Sequence, residues 1–389
     1  VSGHRKDIRI SGTFFIARLV LILSLSLEGI QSYGDYWNFF HLAGLGRPFL
    51  DIWVEFPPLF PFLSRGIYSL VGGRENAYIY LGALFFSLIQ AGSIYLFQRI
   101  AGEIWGSEGG GQRALVYALF IVGLFYGWAY FDCLAVFLTL LGLYFVVKSK
   151  HISAGVVLGL GGLVKWFPLL ILPAAWKRMD GKKAAYVVLS SLLVIITVWG
   201  VLYIVSPSMT AASLVSQGAK GSWESIWAIL DGNLQTGNFS PAANRFDPAT
   251  ASLPAGNPSV VPSWLTLLFF AGVGIFLFWR AKIQTGLQLI AFSGLTMVLF
   301  FLWSPGYSPQ WVLFLLPLVL LSFENNRSLL IGLVILLMNL LEWPLLLSRG
   351  LFQYLPALII LRSIIYGMIG LLFIKVVFKN DQPIRESSQ

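Results

Sequence analysis

The chain has 389 residues, 57% of them hydrophobic and only 11% charged, where a soluble domain carries roughly 25% charged residues. That balance excludes an ordinary soluble protein. The net charge of +9 would suggest nucleic acid in a soluble chain, but here it reads as topology, with Lys and Arg collecting in loops that stay in the cytoplasm.

In chain order, residues 11–31 form the first apolar run. It is too long for the apolar part of a signal peptide and has no good small-residue cleavage site, so it reads as a first span. Further candidate spans are 75–98, 114–130, 132–147, 184–205, 262–280, 287–303, 309–323, 328–346 and 357–378. Backbone polar groups in lipid must be satisfied internally, so these segments are expected to be helices. The short alternating strands of an outer-membrane barrel are missing.

The basic clusters are Arg5/Lys6/Arg9, Arg99 with Arg113, Lys148/Lys150, Lys177/Arg178/Lys182/Lys183, Arg280/Lys282 and Lys375/Lys379. Placing them all in the cytoplasm fits every step but one. Residues 152–176 have basic loops on both sides, and carry Gly159, Gly161, Gly162, Lys165 and Pro168 near their middle. Proline removes a helix donor and favours a break. The segment is therefore expected to be a short helical hairpin with Lys165 at its apex. The total is about 12 membrane segments, an all-α polytopic fold in one membrane domain over 1–378, with both termini inside. Two long external loops, 32–74 and 206–261, are expected, with 57–73 read as lying on the outer surface; its alternative is a full span, which would put Arg99 and Arg113 outside. Residues 379–389 read as a cytoplasmic tail. Cys133 is the only cysteine, which leaves no internal disulfide and no thiol-ligated metal site.

The residues with chemistry fall at the external ends of the spans, Lys165 apart. Asp35, in Gly-Asp-Tyr-Trp at 34–37, stands where the first helix leaves the membrane. A half-shielded carboxylate there can act as a general base; its plain alternative is a cap for the following helix. Glu55 projects from Val-Glu-Phe-Pro-Pro-Leu at 54–59, or merely belongs to an interfacial turn, and Asp51 reads as a solvated loop residue. Asp132 lies in a short turn between two spans, where an acid is costly unless it faces a cavity or a partner; helix capping is its alternative. Lys165 can reach a phosphate at headgroup level, or snorkel to the interface. In Gly-Ser-Trp-Glu-Ser-Ile-Trp at 221–227, Trp223 and Trp227 have i, i+4 spacing, so they are expected on one helical face that covers a lipid chain, stacks on a sugar or anchors the interface. In Ser-Pro-Gly-Tyr-Ser-Pro-Gln-Trp at 304–311, Ser308 is expected to cap the next helix, with Pro309 in its first turn, and Gln310 can point into a cavity.

External acids beside a membrane-level lysine suit transfer from a lipid phosphate donor. In order, Asp35, Glu55-Phe-Pro-Pro, Phe131-Asp132, Ala-Gly-Val-Val-Leu-Gly-Leu from Ala154, Lys165-Trp-Phe-Pro, Glu224-Ser-Ile-Trp and Ser308-Pro-Gln-Trp resemble the GT-C glycosyltransferase superfamily. Within it the motifs are similar to those of the bacterial and archaeal polyprenol-phosphate-mannose-dependent mannosyltransferases, and the resemblance runs from about Asp35 to Pro317. It implies a multi-pass enzyme of the cell membrane that transfers a hexose, most often mannose, from a polyprenyl-phosphate donor to a glycan or glycolipid acceptor outside the cytoplasm. Transfer would be inverting, with no metal and no cofactor. It further implies Asp35 as general base, Lys165 near the carrier phosphate, and Glu55 and Asp132 orienting acceptor or sugar. Trp223, Glu224 and Gln310 join them as substrate-binding candidates, and Arg245, Lys220 and Arg349 as secondary phosphate ligands. Two departures stand out. Phe56 replaces a frequent Tyr and loses its hydroxyl. A single Asp in the first loop, rather than a pair, argues against the metal-dependent oligosaccharyltransferase branch. The rival classes are a transporter or lipid flippase, which would need polar residues near mid-membrane, and a non-catalytic membrane subunit. Within the enzymes, a phosphoglycosyl or aminoarabinose-type transferase remains a further alternative.

Overall fold

The structure is a computed structural model that describes residues 2–235, 237 and 239–379, with side chains from residue 8 onward. The side chains of Arg5 and Lys6 and nearly all of the expected tail, 379–389, fall outside that description. The described chain is helical and contains no strand. Six of its helices are long and apolar enough to cross a membrane: Glu75–Val122, Gly181–Val205, Ser263–Arg280, Gly286–Trp303, Asn325–Leu346 and Phe352–Val377. Asp132–Val147, His151–Gly162 and Pro309–Ser322 are apolar but shorter. The make-up is that of a membrane protein.

The expected first span, 11–31, is not among the six. Its helix, Ser2–Ser24, stops short, and a separate turn, Leu27–Gln31, follows. The expected spans 75–98 and 114–130 form the two legs of Glu75–Val122, which reverses at Gly106, a residue at φ 76°. The reversal brings Phe97 and Tyr117 into ring stacking at 4.7 Å, whereas twenty residues of straight helix would separate them by about 30 Å. Without a Cβ, Gly106 adopts this left-handed backbone at little cost. The second leg ends at Val122, short of the expected residue 130. Arg18 terminates it by donating to the Val122 carbonyl at 2.8 Å and to the Ile121 carbonyl, satisfying two of the orphan acceptors of a helix end.

His151–Gly162 and Gly181–Val205 run side by side in the same direction. Gly155 lies against Val187, Gly159 against Ser191, and the Trp166 ring stacks on Trp199 at 6.2 Å. This Gly-x-x-x-Gly spacing lets the two backbones approach, as small residues do between membrane helices. The segment between them must therefore return, and it does so through a 3-10 turn, Phe167–Ile171, and the helix Leu172–Arg178. Lys165 stands at the apex of this doubling-back.

The basic turns share one end of the bundle. Lys148 pairs with Glu103 at 2.5 Å, and Lys177 covers the Phe278 ring at 4.6 Å. Gly286 packs against Ile104. The Trp105 indole donates to the Leu321 carbonyl, Arg113 to that of Phe323, and Gln288 to that of Val377. Asp35, Asp132, Lys165 and the described residues of 206–261 lie at the opposite end. There Tyr36–Leu45 and Leu59–Leu70 pack on each other and on the start of the helix from Glu75. Leu59–Leu70 has 12 residues, about 18 Å of helix, which is too short for a crossing.

Candidate active site

Asp35 is placed by a set of bonds between the segment 30–36 and the turn after Val122. Trp128 donates to the Ile30 carbonyl at 3.1 Å, Tyr130 to the Tyr33 carbonyl at 2.5 Å, and Trp343 to the same carbonyl at 2.9 Å. Tyr36 donates back to the Trp128 carbonyl, and the Asp35 amide to Ala129 at 3.3 Å. Asp35 occupies the N-cap position of Tyr36–Leu45, yet its carboxylate makes no capping bond. Its one hydrogen bond is from Asn38, long at 3.3 Å. It is half-buried and has no cation at ion-pair distance among the described residues. Burial pushes its carboxyl up to about 6; Asn38 opposes this, Asp132 adds to it, and Lys220 and Lys165 oppose it.

Asp132 begins the helix Asp132–Val147 and is 1% exposed in its side chain. Lys165 reaches it with Nζ to Oδ1 at 2.5 Å. The ammonium also lies 5.3 to 5.5 Å from the ring centres of Phe131, Phe167 and Trp311. A buried acid opposite a cation held among aromatic faces satisfies the demand that buried charges be paired. Neither helix capping by Asp132 nor snorkelling by Lys165 describes this pair.

Glu55 gathers the remaining cations. Arg245 pairs with it at 2.7 Å and Lys220 approaches at 3.9 Å. Burial pushes the Glu55 carboxyl up, but Arg245 and Lys220 outweigh it and hold the group below its ordinary range. The Arg245 guanidinium lies over Trp53 at 4.2 Å and over Phe239 at 4.8 Å. The Trp53 amide donates to the Arg245 carbonyl, and its indole to that of Asn244 at 2.8 Å. The Pro pair then turns the chain so that the Leu59 amide donates to the Leu163 carbonyl at 2.8 Å, tying the Glu55 loop to the Lys165 apex. Below, Phe56 meets Phe131 at 5.1 Å and Phe60 stacks on it at 4.1 Å. Such aromatic pairs contribute about 0.5–1.5 kcal/mol each beyond area burial, and Phe56 takes part in them through its ring.

The helical reading of 221–227 is corrected. Trp223 is extended, exchanging backbone bonds with Pro305 and Tyr307. Glu224 takes a positive φ of 50°, and Ser225 caps a new helix, Ile226–Asp231, through the Ala228 amide. That break puts Trp223 and Trp227 on different elements: the Trp223 indole donates to Ser308 Oγ at 3.2 Å and the Trp227 indole to the Leu302 carbonyl at 3.1 Å. Ser308 holds the cap position before Pro309–Trp311 but makes no side-chain cap bond, since its oxygen accepts from Trp223. Gln310 is half-buried nearby. Arg349 is exposed and makes no ion pair among the described residues.

The sequence reading did not single out a second charged pair, which lies near the same ends of the helices Asn325–Leu346 and Leu355–Val377. Glu342 and Arg362, both buried, pair with each other. Arg362 also donates to the Glu224 carbonyl and lies over the Tyr307 ring at 3.6 Å. The Tyr307 hydroxyl bonds Asn339 and Tyr366, each at 2.6 Å. An Arg and a Glu inside two apolar runs were the available signal. Among the described residues, no three His, Cys, Asp or Glu side chains gather as a metal site. A cavity of about 440 Å³ opens beside the cluster, lined by Gly221, Phe239 and their neighbours in the second long loop.

No family model matches the chain, and no curated protein matches it in sequence.

Proposed function

We propose that the chain is an integral membrane glycosyltransferase of GT-C type. It transfers a hexose, mannose by the motif resemblance, from a polyprenyl-phosphate donor to an acceptor hydroxyl with inversion. One observation carries the reading: Asp35 is the acid of the cluster left without a cation, and its carboxyl is pushed up to about 6. That range suits a general base working near neutral pH. Asp35 takes the proton of the acceptor hydroxyl. The freed oxygen attacks the anomeric carbon from the face opposite the phosphate, the carbon–oxygen bond to phosphate breaks, and polyprenyl phosphate leaves.

Lys220 and Arg245, preassembled on Glu55, are the cations for that leaving phosphate, and the guanidinium fork suits it well. Lys165 contributes field while remaining paired with Asp132. Positioning and charge stabilisation then supply most of the acceleration. The gathering of the basic turns at one end supports a cytoplasmic side there, and so an Asp35 cluster on the non-cytoplasmic face. Counting both legs at Gly106 and both arms at Lys165 supports about 12 membrane segments.

A transporter or lipid flippase is the second reading. The buried Glu342–Arg362 pair favours it, because charges inside apolar helices often mark pathways. Against it, Arg362 is committed to Glu342, the Glu224 carbonyl and the Tyr307 ring. The deciding experiment incubates membranes with radiolabelled polyprenyl-phosphate-mannose and -glucose, comparing wild type with Asp35→Asn. Transfer by wild type alone supports the enzyme. Labelled-lipid translocation without transfer, insensitive to Asp35→Asn, favours the transporter.

A further inference from the structure

Phe239 stands between two environments of opposite chemistry. One is charged: Lys220 and Arg245 lie 4.7 and 4.8 Å from its ring centre, and both reach Glu55. The other is the cavity of about 440 Å³, in whose wall Phe239 stands and which no charged side chain lines among the described residues. Its size falls within the ~300–1,000 Å³ range of small-molecule sites.

The wall of the cavity mixes backbone, hydroxyl, amide and aromatic groups. The glycines leave main-chain edges open. At Gly221 a Cβ would strike the Ala255 carbonyl oxygen, so the closeness of these two strands of the loop requires glycine. Asn233 is consumed in holding the wall: it donates to Ser222 at 3.0 Å and accepts from the Asn257 amide at 2.8 Å. Behind it, Asp231 accepts from Ser222 at 2.6 Å and from the Val260 amide at 2.7 Å. Gln235 is exposed on the wall, and the Ser240 oxygen accepts only a long bond from the Ala242 amide, which leaves its hydroxyl proton to donate. Phe239 and Phe352 add two aromatic surfaces.

A phosphate or carboxylate finds no cation among the described lining residues, and an apolar chain would cover the Ser240 hydroxyl and the Gln235 amide without pairing them, at a cost of about 1–3 kcal/mol for each one buried. A neutral, hydroxyl-rich ligand meets both conditions. We propose that this cavity is a saccharide subsite and, resting on the transferase reading above, that it holds the uncharged sugar of the acceptor. Lys220, which acts on the charge of Asp35, directly precedes Gly221 in the wall. The cavity thus adjoins the proposed site, and the donor phosphate, on Lys220 and Arg245, is held on the other side of Phe239.

The test uses the full chain in lipid nanodiscs free of sugar-based detergent. Binding is read by calorimetry and saturation-transfer NMR with mannobiose, and with a disaccharide of the same size that carries a uronic acid. The expected result is mannobiose binding, at least tenfold weaker binding of the acidic disaccharide, and at least tenfold weaker mannobiose binding in Gln235→Ala and in the cavity-filling Ser240→Phe. The proposal is overturned if mannobiose does not bind, if the two disaccharides bind alike, or if both variants bind as wild type does. Donor turnover is measured separately. Turnover without mannobiose binding removes the subsite and keeps the transferase, whereas binding without turnover keeps a saccharide site and removes the transferase.

Discussion

Lys165 Nζ lies 2.5 Å from Asp132 Oδ1, joining the apex of one helical hairpin to the buried start of the helix before it. The pair locks the two segments against each other at the level of the proposed site. Removing one partner leaves an uncompensated buried charge, which costs about 3–5 kcal/mol, whereas replacing both by apolar groups is often near neutral. Lys165→Met should therefore lower the thermal midpoint of the purified protein markedly, and Lys165→Met with Asp132→Leu should recover most of it. A double variant no more stable than Lys165→Met would show that the pair is not what the hairpin rests on.

Asp35 predicts a pH dependence with a defined sign. A base must be deprotonated, so transfer should fall about tenfold per pH unit below the folded value of about 6. Stability moves the other way. Because the folded carboxyl is raised above its ordinary value of 3.8, the folded state binds the proton more tightly between those two values. This group's contribution is full below about 4 and declines as pH rises through about 6. Asp35→Asn should abolish transfer yet unfold no earlier than wild type at pH 7, and it should flatten that part of the stability profile. Transfer that keeps its acid limb in Asp35→Asn would assign the base elsewhere.

Local features were legible: a helix that opens after the Pro pair following Glu55, and a break at Lys165 in a glycine-rich apolar run. So was the hairpin at Lys165, since like charge on both flanks opposes a single crossing. What escaped was long-range. Arg362 meets the Glu224 carbonyl across 138 residues, and no local pattern announces such a partner. Trp223 and Trp227 carried true helical spacing, but a positive φ at Glu224 and a cap at Ser225 override it. The first helix stops at Ser24, and Ser26 opens a separate turn by accepting from the Gly29 amide.

Arg245 and Glu55 give a third prediction. If Arg245 holds the donor phosphate, Arg245→Met should raise the donor KM by tenfold or more. Arg245→Lys should recover only part, because it loses the fork and the stacking on Trp53. Glu55→Gln should act through the same cations, loosening Arg245 and Lys220 and changing donor KM more than kcat. Because its folded carboxyl is lowered, Glu55 contributes stability above its ordinary value that is lost as pH falls through the folded one. Unchanged steady-state kinetics in Arg245→Met would remove this cation from the donor site.

The buried Glu342–Arg362 pair acts at a distance from the reacting atoms, and its arrangement predicts how. Trp343 holds the Tyr33 carbonyl, two residues before Asp35, while Arg362 holds the Glu224 carbonyl, four residues after Lys220. Neighbouring residues thus pin both the loop with the base and the loop with a phosphate cation. Arg362→Lys keeps the charge opposite Glu342 but gives up the forked reach to Glu224 and the planar stacking on Tyr307. Its expected signature is a kcat lowered by tenfold or more, with a thermal midpoint much closer to wild type than that of Arg362→Leu, which strands Glu342. A purely structural pair would give the opposite pattern, with kcat per folded molecule unchanged in Arg362→Lys. Misalignment on the order of 1 Å is enough to cost about a hundredfold in rate, so the loss should appear in kcat even where donor and acceptor still bind.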